Sequence, residues 1–506
     1  MKLLFGLLAI AALYLAFFTD QSVNWLAFGS MAAFYTVVYY VGARAAEKRK
    51  EEENDADGLM LAGRNLPLWV AIFTMSATWV GGGFINGTAE YTATSGLVWV
   101  QAPWGYALSL VIGGLFFART MRRRRYRTML DPLEERYGKK MTAVLFLPAL
   151  TGELFWTAAI LTALGATFGT VLGIDLETSI ILSAAIAVAY TAFGGLWAVA
   201  MTDVVQLGIL LFGLALIVPF ALEYTGGLSA TYAAYQEKFG AAASLLPSRE
   251  ALGADYWTWW DYALLLIFGG IPWQVYFQRV LSASDERTAV RLSLVAGGVC
   301  LLAAVAPVII GMVSATVDWS ATEAGAPLDA SATLPWVIRY LTNPWVAVIG
   351  LGAVAAAVMS SVDSSVLSAS SMGIWNVYRP LVNPGLSDGK LAQLIQRCIW
   401  IVGVAATLIA FQVQSVYKLW FLCSDFVYCL LFPALVCALF DPRANKYGAL
   451  AGFLIAAFLR FGGGDATLGI PAFLPYETGF PFRTLAMVSG LVTIVVVSRL
   501  TRIVIR

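Results

Sequence analysis

Ser360, Ser361, Asp363, Ser364, Ser368 and Ser371, inside one apolar run at 345 to 376, carry side chains able to hold a cation. Positions 360, 363, 364, 368 and 371 recur at i, i+3, i+4, i+8 and i+11, which gathers them on one stripe of a helix, with Ser361 at its flank. Hydroxyl and carboxylate oxygens suit a hard cation, which takes many oxygen ligands. A carboxylate left at the centre of a bilayer costs roughly 2.5 to 3.5 kcal/mol, so Asp363 is expected to face a cavity or an ion. Small hydroxyl residues also make close-packing faces between membrane helices, and the serine spacing is compatible with that role too. Asp203, after Met201 and Thr202 at the start of another apolar run, leaves two readings open: an ion ligand, or a helix N-cap and dipole partner.

The second set of residues lies between Met75 and Thr88, where Gly81, Gly82 and Gly83 follow Trp79 and Val80 inside a run of membrane-spanning character. Consecutive glycines break a helix. Unwound backbone at membrane depth is tolerated only where it lines a cavity or is buried in protein, and its freed carbonyls can ligate a cation. Phe268-Gly-Gly-Ile-Pro-Trp-Gln274 is a second interruption, and paired Gly/Pro-broken spans in two halves of a chain point to a secondary transporter's binding site. Trp79 to Gly83 and Gly269 to Trp273 are therefore expected to form one site. Interfacial positions account for most of the 17 tryptophans, but Trp79 and Trp273 adjoin the breaks. A quaternary ammonium offers no N–H, so a site selecting one needs ring faces, each contributing roughly 0.5 to 2 kcal/mol. Asn86-Gly87-Thr88 matches a glycosylation sequon, but inside an interrupted helix it reads as structural.

The elements that must position these residues are membrane helices. Of 506 residues, 59% are hydrophobic and 12% charged, and the mean hydropathy is +0.76, the signature of a polytopic membrane protein set in a lipid bilayer. A net charge of +1 gives no reason to expect a nucleic-acid partner. The absence of histidine removes His-based metal sites and Ser-His or Cys-His nucleophiles. Gly138-Lys139-Lys140 and Gly389-Lys390-Leu391 lack the rest of a phosphate-binding loop. Neither an enzyme nor an ATP-driven pump is expected. The cysteines at 300, 398, 423, 429 and 437 all fall in apolar runs and read as small buried hydrophobes.

Residues 3 to 18 suit a signal peptide or a short span, and with no small-x-small cleavage site following they are expected to be an uncleaved helix. Further spans are expected at 25–43, 67–91, 96–118, 141–171, 176–199, 202–223, 258–281, 289–314, 345–376, 393–411, 416–440, 447–461 and 483–501, with a polar loop at 223–256. Arg44, Lys48 to Lys50, the cluster Arg119 to Arg127, Arg279, Arg287, Arg291, Arg379, Arg397, Arg499, Arg502 and Arg506 fall on one side of this alternation. The positive-inside rule makes that side, with the C-terminus, cytoplasmic. Because five spans is an odd number, a second five-span unit enters from the opposite side, giving inverted repeats. The expected organisation is an extra apolar segment at 1–24, a peripheral span and linker at 25–66, repeats at 67–223 and 258–440 separated by an outer loop at 224–257, and two closing spans at 441–506.

Met75 to Glu90, Gly269-Gly-Ile-Pro-Trp-Gln274 with Tyr276-Phe-Gln-Arg-Val-Leu281, Ala357-Val-Met-Ser-Ser-Val-Asp-Ser-Ser365, Thr128-Met-Leu-Asp-Pro132 and Pro148 to Trp156 resemble the solute:sodium symporter family and, within it, the high-affinity sodium-dependent choline transporters. The resemblance runs from about residue 25 to 500. It implies an all-α, leucine-transporter-like inverted repeat of five plus five helices with extra N- and C-terminal helices, about 13 to 14 spans in all. It also implies sodium-coupled choline import across a plasma or inner membrane by alternating access, with Na+ co-transported and Cl− required. Motif by motif, one sodium site would fall on the Ala77 and Val80 carbonyls with Ala357, Ser360 and Ser361, and another on Thr78, Asp203 and Asp363. The choline cage would draw on Trp79, Tyr106, Trp156, Trp273 and Trp420. Two departures from the family pattern are the added stretch 3–18 and the missing long cytoplasmic tail of the animal proteins. The rivals are a sibling symporter for betaine, proline or a carboxylate, and a membrane sensor built on the same scaffold.

Overall fold

The computed structural model describes residues 2–17, 23–47, 56–191, 196–322, 324–413 and 415–504. Expectations for Lys48 to Lys50, residues 192–195 of the 176–199 span and Arg506 lie outside them, while residues 196–199 belong to the following helix. The described chain is helical, with isolated bridges only at Leu66–Ala283 and Asp465–Ile470. The helices are α1 (Lys2–Phe17), α2 (Trp25–Glu47), α3 (Leu68–Trp79), α4 (Gly82–Thr94), α5 (Ala102–Ile112), α6 (Lys139–Leu172), α7 (Leu176–Thr191) and α8 (Leu196–Glu223). After a polar segment come α9 (Tyr256–Gly269), α10 (Gln274–Ser282), α11 (Glu286–Thr316), α12 (Pro344–Met372), α13 (Asp388–Gln412), α14 (Val416–Phe426), α15 (Lys446–Gly462) and α16 (Phe482–Val504). Among the described residues ten helical stretches are long and apolar enough to cross a membrane, or eleven with the bent pair α3–α4 counted as one. The other expected spans are the shorter helices α1 and α7 with 16 residues and α15 with 17.

Both predicted interruptions are present. The α3 and α4 axes meet at 46° across Val80 and Gly81, and α9 and α10 are separated by Gly270, Ile271, Pro272 and Trp273. One detail of the first differs from expectation, because Gly82 and Gly83 are helical and open α4 instead of unwinding. The glycines serve close approach: a Cβ on Gly81 would lie 1.7 Å from Ser361 Oγ, and one on Gly82 would lie 2.4 Å from the Val358 side chain. Asn86 to Thr88 sit buried in α4, as a structural reading of that sequon requires.

Three boundaries also depart from the sequence reading. Helix α8 begins at Leu196, so Asp203 lies in its interior with its side chain fully buried, which removes the N-cap reading. The 223–256 segment is not plain loop but carries short helices at Leu228–Phe239 and Arg249–Leu252. Arg279, expected at a span end, has no exposed surface; it is in the interior because α10 is a half-helix that starts at membrane depth.

The charged segments gather at the two ends of the bundle. At one, Arg123 pairs with Glu286 at 3.0 Å, Arg64 with Asp57 at 3.0 Å, Arg127 with Asp57 at 2.5 Å and Arg499 with Asp441 at 3.0 Å. Asp285 caps α11 there by accepting the backbone N–H groups of Arg287 and Thr288. The Thr288 N–H, foremost among its donors, holds the Asp285 carboxyl below the usual carboxylate range. The cysteines at 300, 398, 423, 429 and 437 are free, and all but Cys398 are buried.

Candidate functional site

The α3–α4 break rests on α12. Ser361 Oγ donates to the Thr78 carbonyl at 3.0 Å, Thr78 Oγ1 lies 3.1 Å from Ser364 Oγ, and the Ala357 carbonyl stands 3.7 Å from where a Gly81 Cβ would be. Such contact needs small residues on both faces, which Gly81, Ala357 and Ser361 supply. Ala77, Val80, Ala357, Ser360 and Ser361 are all buried around this junction. An unwound turn, carbonyls and hydroxyls thus meet in one place, which is the donor set a sodium ion takes.

Asp203 reaches the same region from α8. It accepts Ser360 Oγ at 2.6 Å and Thr74 Oγ1 at 2.5 Å, and its Oδ2 lies 3.5 Å from Arg279 Nη2. Arg279 also donates to Ser364 Oγ at 2.5 Å. The predicted partners Thr78 and Asp203 are therefore joined through Ser360, Ser364 and Arg279 and not by direct contact. Asp363 turns toward α7, where Thr191 Oγ1 donates to its Oδ1 at 2.5 Å; its Oδ2 is buried with no hydrogen-bond partner among the described residues. Of the other serines, Ser368 donates to Gln278 at 3.3 Å, whereas the buried Ser371 hydroxyl has no partner among the described residues. The stripe thus divides: Ser360, Ser361 and Ser364 meet Asp203, the α3–α4 break and Arg279, whereas Ser368 meets Gln278.

Among the described residues, Trp79, Tyr106, Trp156, Trp273 and Trp420 line one partly open cavity, with about 250 Å³ of empty space that includes the solvent it opens onto. Trp79 stands 6.4 Å from Tyr106 and 6.3 Å from Trp156, Trp156 meets Trp273 edge to face at 5.2 Å, and Tyr106 stacks on Trp420 at 5.0 Å. Trp79 and Trp273 come from the two breaks. Trp273 is fixed by its own Nε1–H, which donates to the Gly269 carbonyl at 2.6 Å across the second interruption. Tyr106 is fixed through its hydroxyl against Ser424. A wider cavity of about 1020 Å³ of empty space, lined by Tyr91, Tyr262, Phe421, Asp425 and Arg483 among others, lies toward the end opposite the arginine cluster.

Sequence reasoning missed Arg279 and Glu153. Arg279 lies inside the Tyr276–Leu281 motif and Glu153 inside the Pro148–Trp156 motif, so a charged residue within each motif was the available signal.

Two broken helices facing each other across a ring-lined cavity, with carbonyls, hydroxyls and carboxylates beside one of them, define a helical secondary transporter of the inverted-repeat class. The fold is shared with a Na+-coupled sialic acid symporter solved in a substrate-bound outward-open state, at a TM-score of 0.77 and 18% identity over 94% of this chain and 97% of that one. The family model of the sodium:solute symporters matches residues 59–456, and the chain belongs to that family. It is accordingly a multi-pass membrane transporter and not an enzyme. Curated relatives include the high-affinity choline transporter 1 of Drosophila melanogaster, 46% identical over 94% of this chain and 78% of that protein. The proteins of that name from Caenorhabditis elegans and Homo sapiens are 46% and 43% identical, over 92% and 94% of this chain and 83% and 84% of their own lengths.

Proposed function

We propose that this protein imports choline coupled to sodium, by alternating access. The observation that carries the reading is the five-ring cavity: its lining presents ring faces and no cationic side chain, which suits a trimethylammonium head that cannot donate a hydrogen bond. The relatives' names support the same substrate. Betaine shares that head but adds a carboxylate, for which the lining offers no charged partner.

Sodium is assigned to the Ala77 and Val80 carbonyls with Ala357, Ser360 and Ser361, and to a neighbouring position using Thr78, Asp203 and Asp363. The buried oxygens at the α3–α4 break and the open Asp363 Oδ2 support both assignments. Coupling works because ion and cage share the broken helix: an ion that pins Val80 and Gly81 against α12 also sets the Trp79 ring. A chloride requirement belongs to the proposal without a location. So does the orientation, with the arginine-rich end and the C-terminus cytoplasmic and the 224–257 loop outside a plasma or inner membrane. With an interior-negative potential near 100 mV, one sodium and one choline gain about 4.6 kcal/mol, on the order of a thousandfold accumulation.

Uptake into proteoliposomes tests the reading. A sodium gradient should drive labelled choline in, unlabelled choline should compete far better than betaine or proline, and sodium-independent or proline-preferring uptake would overturn it.

A further inference from the structure

Neither the ring cavity nor the ion cluster uses Glu153, yet among the described residues it is the one buried carboxylate with neither oxygen hydrogen-bonded. Its side chain is buried on α6, and both carboxylate oxygens are inaccessible with no hydrogen-bond partner among the described residues. Thr157 Oγ1, one turn on, donates at 2.7 Å to the Glu153 backbone carbonyl and not to the carboxylate. The adjoining Gly152 lies against the second break, since a Cβ there would be 3.9 Å from the Trp273 ring and 3.0 Å from the Cys423 carbonyl. The guanidinium acting on the Glu153 carboxyl is Arg279, which is already paired with Asp203. Glu153 therefore lies about 4.5 Å along α6 from the cage residue Trp156, toward the arginine-rich end, with its carboxyl in the field of the guanidinium that pairs with Asp203.

Charge balance gives this position a meaning. When ionised, Asp203, Asp363 and Glu153 face one buried guanidinium, Arg279, leaving two negative charges uncompensated. A buried carboxyl of that kind is either neutralised by a proton or matched by a cation, and an arriving cation can take the proton's place. Sodium beside Asp203 and Asp363 supplies one. The other position, at Glu153, has no group among the described residues that donates to the carboxylate, surroundings suited to a weakly hydrated organic cation recognised by charge alone.

We propose that Glu153 is the counter-charge of the transported quaternary ammonium, forming a second subsite one helical turn from the ring cage onto which the cation passes as it leaves the rings. This rests on the choline reading above. The rings would then recognise shape and polarisability while Glu153 senses charge, a division absent from a cage of aromatics only.

Binding of choline and of its uncharged isostere 3,3-dimethylbutanol to wild type, Glu153→Gln and Glu153→Asp, in sodium, tests it. Glu153→Gln should weaken choline binding by about tenfold or more while changing isostere binding little, and Glu153→Asp should keep most of the discrimination. Equal changes for both ligands, or none, would overturn the proposal, since a role confined to packing moves both alike. If wild type binds no choline in sodium, the choline reading itself has failed; if it binds choline and Glu153→Gln binds it equally, only the Glu153 subsite has.

Discussion

The interior holds two clusters of charge, and they are built on opposite principles. At the end opposite the arginine cluster, Asp425 receives two parallel bonds from Arg460 at 2.6 Å each and a third from Arg483 at 2.8 Å. Asp465 takes Arg460 at 2.7 Å, and Asp261 accepts the backbone N–H groups of Arg483 and Thr484 together with the Thr484 hydroxyl. Carboxylates there are saturated, and the network ties α9, α14, α15 and α16 together. Around the broken helices, Asp203, Asp363 and Glu153 share one guanidinium, and three carboxylate oxygens have no partner among the described residues. A saturated buried charge holds helices in place. An unsaturated one is kept for something that arrives.

That contrast predicts opposite responses to the same kind of mutation. The largest effect is expected at the saturated cluster: Asp425→Ala should strand two arginines and lower stability by about 3 to 5 kcal/mol, seen as a large fall in thermal unfolding temperature in detergent, while the sodium response of the folded fraction stays as in wild type. A stable Asp425→Ala protein with altered sodium activation would erase the distinction. Next, Asp363→Asn should leave stability unchanged or raised, because it removes an uncompensated charge, yet shift half-maximal sodium activation of uptake upward by at least about tenfold. Unchanged sodium dependence in a normally folded mutant would remove Asp363 from the ion site.

Within the site, Trp79→Leu and Trp273→Leu keep apolar bulk but lose the ring quadrupole. Choline affinity should fall by roughly 0.5 to 2 kcal/mol in each, up to about thirtyfold, with ethanolamine, which retains N–H groups, losing less in competition binding. Equal losses for the two ligands would mean the rings merely fill space. The smallest effect is expected from Ser360→Ala and Ser361→Ala, which remove one oxygen each and preserve helix contact. Each should raise the sodium needed for half-maximal uptake by about twofold to tenfold, and a loss of expression with an unchanged sodium response would assign both to packing.

The two breaks, the serine stripe and the place of Trp79 and Trp273 beside the breaks were legible in the sequence, because glycine, proline and polar residues stand out against an apolar background, whereas Tyr106, Trp156 and Trp420 entered only through the resemblance to a known family. The rest depended on tertiary partners. Asp203 reads as a helix cap until Ser360 and Thr74, from α12 and α3, are seen on its two oxygens. Arg279 reads as a cytoplasmic span end because charge near an apolar run normally marks an interface, and only a half-helix beginning at membrane depth puts it inside. Gly82 and Gly83 read as unwound, but local propensity gave way to packing, with Gly82 needed where Val358 presses on the chain.

If the unsaturated region between the breaks is where cargo binds, a structure determined with sodium and choline present will show the trimethylammonium group enclosed by Trp79, Tyr106, Trp156, Trp273 and Trp420, with ion density at the α3–α4 break against Ser360 and Ser361. Choline bound only in the wider cavity near Asp425 and Arg483, with the ring cavity empty, would contradict it.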